Sequence, residues 1–276
     1  MDRSTPSRPV ARQVEDPPLL ARLRLERLDD DRYLGAPGPD PSHLFGGQLL
    51  AQGLLAAARS GDQAQRAQSL SAVFLVAGLG DRPVEYRVER LRDGSSFASC
   101  RVLGLQEGEP IVTLTASFHR PEGSPLHQVP RPAWLDAPDG LAAGRYDSPE
   151  VDCRDVPPTS STDALDLGHW FRARGELPDD PAVLDAAMAW ASDKGPTRAA
   201  RQPHVDHPGF ARVRTTSLDH HLWFHRPTRV DRWHATALRS SVTADARGLV
   251  HGTIHDADGN HVASLTQEVL VRLPSG

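Results

Sequence analysis

The residues able to do chemistry in this 276-residue chain are scattered, and no single short motif gathers them. The cysteines, Cys100 and Cys153, stand far apart without CxxC spacing, so neither a disulfide framework nor a structural zinc site is expected. Histidines concentrate late in the chain. His220, His221 and His225 cluster around Trp223, and His251 and His255 share one face of an expected strand. Metal binding needs ligands at set spacings, and neither HExxH nor a cysteine partner accompanies these histidines, so no metal is expected. Asp93-Gly94-Ser95 carries a serine, but the GxSxG elbow of a serine hydrolase is absent. Asp219 and His220 have the residue types of an acid–base pair, yet neighbours in a strand point to opposite faces. Gly46-Gly47, just before Gln48, opens an apolar helical run; free N–H groups at such a start can face an oxyanion, and the same glycines can equally serve only as helix entry.

Two tandem sets of elements must position these residues. Leu49, Leu50, Leu54, Ala57 and Ala58 keep one face apolar over about three turns, which predicts a buried helix. The period then changes to two: Val84, Tyr86 and Val88 alternate with charged residues, and further strands follow to Phe118, with a turn at Glu107-Gly108. Pro178-Asp179-Asp180-Pro181 marks a second helix start, and the run from Ala182 to Ser192 is predicted helical. Strands are predicted from Leu218 to Phe224, Trp233 to Leu238, Gly248 to His255 and Val262 to Val271, with a hairpin at Asp258-Gly259. Helix-then-strands therefore occurs twice, an α+β pattern, and Gln106 to Ala116 aligns with Ala257 to Gln267 at an offset of ~150 residues. Residues 1–18 are expected to be a disordered tail, 19–120 one half, 121–160 a Pro/Asp/Gly-rich linker over the surface, and 161–276 the second half.

Composition narrows the partners. A net charge of -5 leaves no basic stripe for nucleic acid, and no apolar run approaches the ~20 residues of a membrane helix. No signal-peptide pattern or peroxisomal address is visible, so a cytoplasmic location is expected. Lys194 is the only lysine among 31 basic residues.

Several segments together resemble one family. They are Phe45-Gly46-Gly47-Gln48, Leu91 to Phe97, Thr115-Ala116-Ser117-Phe118, Ala191-Ser192-Asp193, Leu218 to Pro227, and Thr266-Gln267-Glu268. In this order they resemble the acyl-CoA thioesterase II family of double-hotdog hydrolases, from about Leu19 to the C-terminus, with the central linker poorly matched. The resemblance implies a double hotdog: two halves, each a long helix wrapped by an antiparallel sheet, joined into one continuous sheet. It implies hydrolysis of fatty-acyl-CoA to free acid and CoA, without a cofactor, by a chain that associates as a homo-oligomer. It implies a catalytic trio matched here by Asp193, Ser217 and Gln267. Phe74-Leu75 is followed by Val76-Ala77-Gly78 where members often carry Arg-Pro-Gly, a change that bears on CoA phosphate recognition or chain length. Ser217 replaces the threonine of many members and keeps the hydroxyl.

A thioester carbonyl is already electrophilic, so the chemistry needs an oriented water, partial removal of its proton, and donors for the oxyanion. Asp193 would serve as base or electrostatic partner, Ser217 and Gln267 would hold the water, and the Gly47 and Gln48 amides would face the oxyanion. Without the family, each has an ordinary structural role: a surface aspartate at a helix C-terminus, a strand hydroxyl, a core glutamine. A hotdog enoyl-CoA hydratase and a non-catalytic acyl-CoA-binding module are the alternatives. The position matching Gln267 in the first half is Ala116, which predicts one active site per chain.

Overall fold

The computed structural model describes residues 16–62, 64–158 and 165–272. The expected tail lies outside the described residues up to residue 15. The first half runs α1 (Pro18–Leu23), β1 (Leu25–Arg27), β2 (Arg32–Gly35), α2 (Gly46–Arg59), β3 (Arg66–Phe74), β4 (Val84–Asp93), β5 (Phe97–Gln106) and β6 (Glu109–His119). The second runs β7 (Val151–Val156), β8 (Asp166–Ala173), α3 (Pro181–Ser192), α4 (Pro196–Arg201), β9 (Arg214–Ser217), β10 (Asp219–Phe224), β11 (His234–Ala244), β12 (Arg247–Asp256) and β13 (His261–Arg272).

Both long helices form where the apolar period predicted them. Asp180 caps α3, its side chain accepting from the Ala182 N–H at 2.9 Å, and Pro181 supplies a preset φ in the first turn. Every α3 residue from Val183 to Ser192 is buried, and α2 is buried from Gly47 to Ala57, so neither helix is a surface helix with one wet face. They pack on each other, and α2 also packs against β3, β4, β5 and β6. Two glutamines inside α2 are satisfied. Gln48 Nε2 donates to the Ala36 carbonyl at 2.8 Å, and Gln52 donates to the Arg22 and Ala36 carbonyls while accepting from the Tyr86 hydroxyl.

The strands form one antiparallel sheet in the order β1-β2-β4-β5-β6-β3-β10-β13-β12-β11-β8-β7, with β9 pairing β13 alongside. Outward from the β3–β10 seam the two sides repeat each other. At the seam Leu70 lies opposite Leu222, Ser71 opposite His221 and Ala72 opposite His220. The halves also share irregularities. Register shifts fall between Arg90 and Arg92 in β4 and between Ser240 and Val242 in β11, and again at Gly104/Leu105 and Ile254/His255. A hairpin needs no bulge, so bulges at matching places mark duplication more firmly than the letters do. This is the double hotdog that the resemblance implied.

The central segment differs from its expected role as a linker alone. After a run without helix or strand, β7 pairs with β8 and extends the sheet edge. Its burial hides in a stretch, Val151-Asp152-Cys153-Arg154, that alternates apolar and charged residues for only two periods.

The two helices approach closely at Gly47, where an added Cβ would lie 2.4 Å from both the Trp190 carbonyl oxygen and the Phe45 ring. Phe45 meets Trp190 edge-on at 5.1 Å between centroids. Overpacking a fixed backbone contact costs ~1–3 kcal/mol. Gly47→Ala should lower the free energy of unfolding by that amount, read as a lower urea midpoint; an unchanged midpoint would show that the helices separate easily here.

Candidate active site

The site is built where α3 ends. Asp193 is the C-cap, and Gly195, at φ 109, turns the chain so that Pro196 can open α4. A side chain at Gly195 would adopt a disfavoured φ and also meet Leu238 Cδ1 at 2.6 Å. Asp193 and Lys194 are therefore held at a rigid corner. The corner faces the N-terminus of α2: a Cβ on Gly46 would come within 2.7 Å of Asp193 Oδ2. Asp193 thus sits at the negative end of its own helix and the positive end of its neighbour.

Asp193 is 8% exposed, and burial raises its carboxyl from the ordinary range to about 7. The Gly47 N–H, the Gln267 carboxamide and the Lys194 charge oppose that rise without cancelling it. Asp193 Oδ1 is buried without a hydrogen-bond partner. Gln267 projects inward from β13 and is fully buried. Its Nε2 donates to Ser217 Oγ at 2.6 Å, and its Oε1 lies 2.6 Å from His220 Nδ1. His220 Nε2 lies 2.9 Å from Ser192 Oγ, and His220 Nδ1 is 3.9 Å from Asp193 Oδ1. Ser217 ends β9 opposite Val269.

Asp193, Ser217 and Gly46 open on a cavity of about 620 Å³. One wall is apolar, from Leu44, Phe45, Leu49, Phe74, Leu75 and Val76; the other carries Tyr146, Thr197, Thr215 and Thr216. Lys194 is the one lining residue with a fixed positive charge. Its ammonium lies over the rings of Trp190 at 4.5 Å, Phe45 at 5.3 Å and Tyr146 at 6.0 Å, and burial lowers its pKa. Val76-Ala77-Gly78, the segment that departs from the family pattern, lines this same cavity.

The trio predicted from the resemblance is thus brought together, and Gly46 lines the cavity. Gly47 packs on Trp190 and turns its N–H toward Asp193. Gln48, expected beside the substrate, is turned away: its N–H donates to the Phe45 carbonyl at 3.0 Å and its side chain to Ala36. Sequence reasoning weighed His220 only as a metal ligand or a partner of Asp219, and missed its link to Ser192 and Gln267 and the Lys194 cage. Strand alternation contained part of the signal, since His220 and Leu222 share a face of β10 and both are fully buried. Asp219 turns the other way and accepts from the Glu268 N–H at 2.7 Å, so the Asp219–His220 pair does not form. The remaining histidines do not converge on a cation: among the described residues no group of three His, Cys, Asp or Glu side chains could hold a metal ion.

The matching place in the first half lacks every element. Its helix C-cap is Ser60, Ala67 stands for Ser217 opposite Phe118, Ala116 for Gln267, and Leu70 for His220. The cavity there holds only about 20 Å³, closed by Arg66 on Asp185 at 2.6 Å.

Comparison with known proteins agrees with this geometry. Residues 36–119 match the acyl-CoA thioesterase N-terminal domain and residues 119–271 the C-terminal domain. Human acyl-coenzyme A thioesterase 8 is 34% identical over 282 aligned residues, which span 91% of this chain and 88% of that protein. The acyl-CoA thioesterase II TesB2 structure from Mycobacterium marinum superposes with a TM-score of 0.81 at 34% identity, covering 94% of this chain and 98% of that one. A hot dog fold protein of unknown function from Alicyclobacillus acidocaldarius, at 18% identity and a TM-score of 0.76 over 92% of this chain and 98% of that one, shares the fold. The chain belongs to the acyl-CoA thioesterase family, a class of double-hotdog thioester hydrolases.

A carboxyl whose pKa rises on folding keeps its proton over a range where the unfolded chain has lost it. Folding stability therefore falls as pH climbs from about 4 to about 7. Asp193→Asn removes that dependence. Its stability should gain on wild type as pH rises from about 5 to about 8, read by urea denaturation; a constant difference would show that the carboxyl is not raised.

Proposed function

We propose that the chain hydrolyses fatty-acyl-CoA to free acid and CoA, using a water held by Asp193, Ser217 and Gln267. The observation that carries this reading is that Asp193 and Ser217 line one cavity with the buried Gln267 hydrogen-bonded behind Ser217, while Asp193 Oδ1 is buried and unpartnered. Asp193, once ionised, accepts a proton from that water as it attacks the thioester carbonyl. The carbonyl electrons move onto oxygen, where the Ser217 hydroxyl offers a donor and the N-terminus of α2 at Gly46 a positive potential. Collapse of the tetrahedral species expels the CoA thiolate, which takes up the proton that Asp193 gained from the water and so restores the carboxylate. The step needs no metal or organic cofactor.

The apolar wall of Leu44, Leu49, Phe74 and Leu75 suits a medium or long alkyl chain, with the CoA nucleotide outside. A cytoplasmic location and a homo-oligomer belong to the same reading, the latter checked by sedimentation. No helix among the described residues is long and apolar enough to cross a membrane. The hydratase alternative is disfavoured because His220 is fully buried and already held by Ser192 and Gln267, out of reach of an enoyl substrate. A binding-only module gives no reason for a carboxyl with a pKa of about 7 at a cavity wall.

The test is thiol release from a panel of acyl-CoAs. Asp193→Asn should lower kcat by ~10²–10⁴, and Ser217→Ala or Gln267→Ala by smaller factors, with each variant still folded. Because the active form is the ionised carboxylate, kcat/KM should rise with pH through about 7 and then level off. Absence of release with every acyl chain would overturn the reading, and release that survives Asp193→Asn would overturn the site. Substrate analogue should bind at one equivalent per chain; two equivalents would contradict the dismantled first-half site.

A further inference from the structure

His220 lies behind the trio and does not itself line the cavity, yet it decides how the proposed site can use its protons. The chain Ser192–His220–Gln267–Ser217 is continuous, with contacts of 2.9, 2.6 and 2.6 Å. It has two self-consistent proton arrangements. Ser192 Oγ lies 2.9 Å from both the Ala189 carbonyl and His220 Nε2, and a hydroxyl has only one proton to donate. Burial keeps the ring neutral, with its pKa lowered to about 4, so the ring also has only one N–H.

If Ser192 donates to Ala189, the ring proton sits on Nε2 and Nδ1 must accept. Gln267 then has to give its NH₂ to the ring and turn its carbonyl oxygen toward Ser217 and the Asp193 carboxylate. Two electron-rich oxygens would face each other in a buried site. If Ser192 donates to Nε2, the ring proton is on Nδ1 and points at Gln267 Oε1. Both N–H bonds of Gln267 are then available to Ser217 and Asp193. An ionised Asp193, 3.9 Å from Nδ1, favours this second arrangement.

We propose that His220 is a positioning residue: its Nδ1–H orients the Gln267 carboxamide as a donor to Ser217 and Asp193, which leaves the Ser217 proton free for the substrate. The proposal rests on the thioesterase reading for its consequence and on the hydrogen bonds alone for its geometry. A second observation supports it. His220 and Leu70 each precede the central Ser71–His221 pair of the seam by one residue, and in the first half, where Ala116 replaces Gln267, the ring is replaced too. A histidine needed only to fill space would not have to change together with the glutamine.

Three variants and one spectrum test it. His220→Asn places an amide N–H near the position of Nδ1, His220→Gln places one near Nε2, and His220→Leu copies the first half. With an acyl-CoA that the wild type hydrolyses, kcat should fall by ~10–100-fold in His220→Gln and His220→Leu while KM stays within about twofold. His220→Asn should recover most of that loss. A kcat for His220→Leu within about twofold of wild type overturns the proposal, as does equal impairment of folded Asn and Gln variants. The tautomer is read directly by ¹⁵N NMR of histidine-labelled protein at about pH 8, with the His220 signals identified by their loss in His220→Asn. A proton on Nδ1 is the expected result, and a proton on Nε2 overturns it whether or not any acyl-CoA is turned over. Failure of every acyl-CoA in the wild type would thus remove the thioesterase reading and leave the spectrum to decide this one.

Discussion

The close antiparallel contact of α2 and α3 is the constraint on which the rest of the molecule depends. Glycine at position 47 lets the start of α2 approach the Trp190 carbonyl, and that approach brings the end of α3 against the start of α2. A carboxylate placed there meets two opposed influences. Burial and the end of its own helix favour the proton, while the amides of the neighbouring helix favour the charge. The balance leaves Asp193 near neutrality, the condition under which a carboxylate is both available as base and basic enough to act. A wider helix spacing would let water in and return Asp193 to an ordinary, weakly basic aspartate.

Duplication explains why such a contact exists and why it is used once. A sheet of this order has a near-symmetric centre at Ser71 and His221, so two helix ends and two potential sites lie on either side. One end is polar and open. The other is filled by Arg66 and Asp185, a partly buried ion pair whose partners satisfy one another in place of a substrate, Asp185 also accepting from the Ala67 N–H. Removing polar groups that meet no substrate avoids their desolvation cost, so Ala67, Leu70 and Ala116 are the residues expected of a half that the proposed chemistry does not use.

The open site is itself asymmetric. Its apolar wall belongs to the first half and the loop after β3, and its polar wall belongs to the central segment and the second half. Lys194 stands at the polar wall, its charge held against aromatic faces, and it lies on the cavity that also contains Val76-Ala77-Gly78. Both departures from the family pattern discussed above, one on residues 76–78 and one in the identity of residue 217, are therefore features of a single surface.

Local sequence determined a good deal. The apolar period placed α2, Asp180-Pro181 placed the start of α3, and the glycine turns at Glu107-Gly108 and Asp258-Gly259 placed two hairpins, because these signals depend on neighbours within a few residues. The trio was legible only through several short segments taken together, since an aspartate, a serine and a glutamine separately carry ordinary structural roles. The β7 strand and the α4 corner were not legible, because Pro-, Asp- and Gly-rich stretches look the same whether they lie free or pair at a sheet edge. Tertiary structure alone decided the Ser192–His220–Gln267–Ser217 chain, whose members come from α3, β10, β13 and β9, and the aromatic cage of Lys194. Proton direction and pKa depend on distances and burial between groups remote in the chain. No local pattern encodes them.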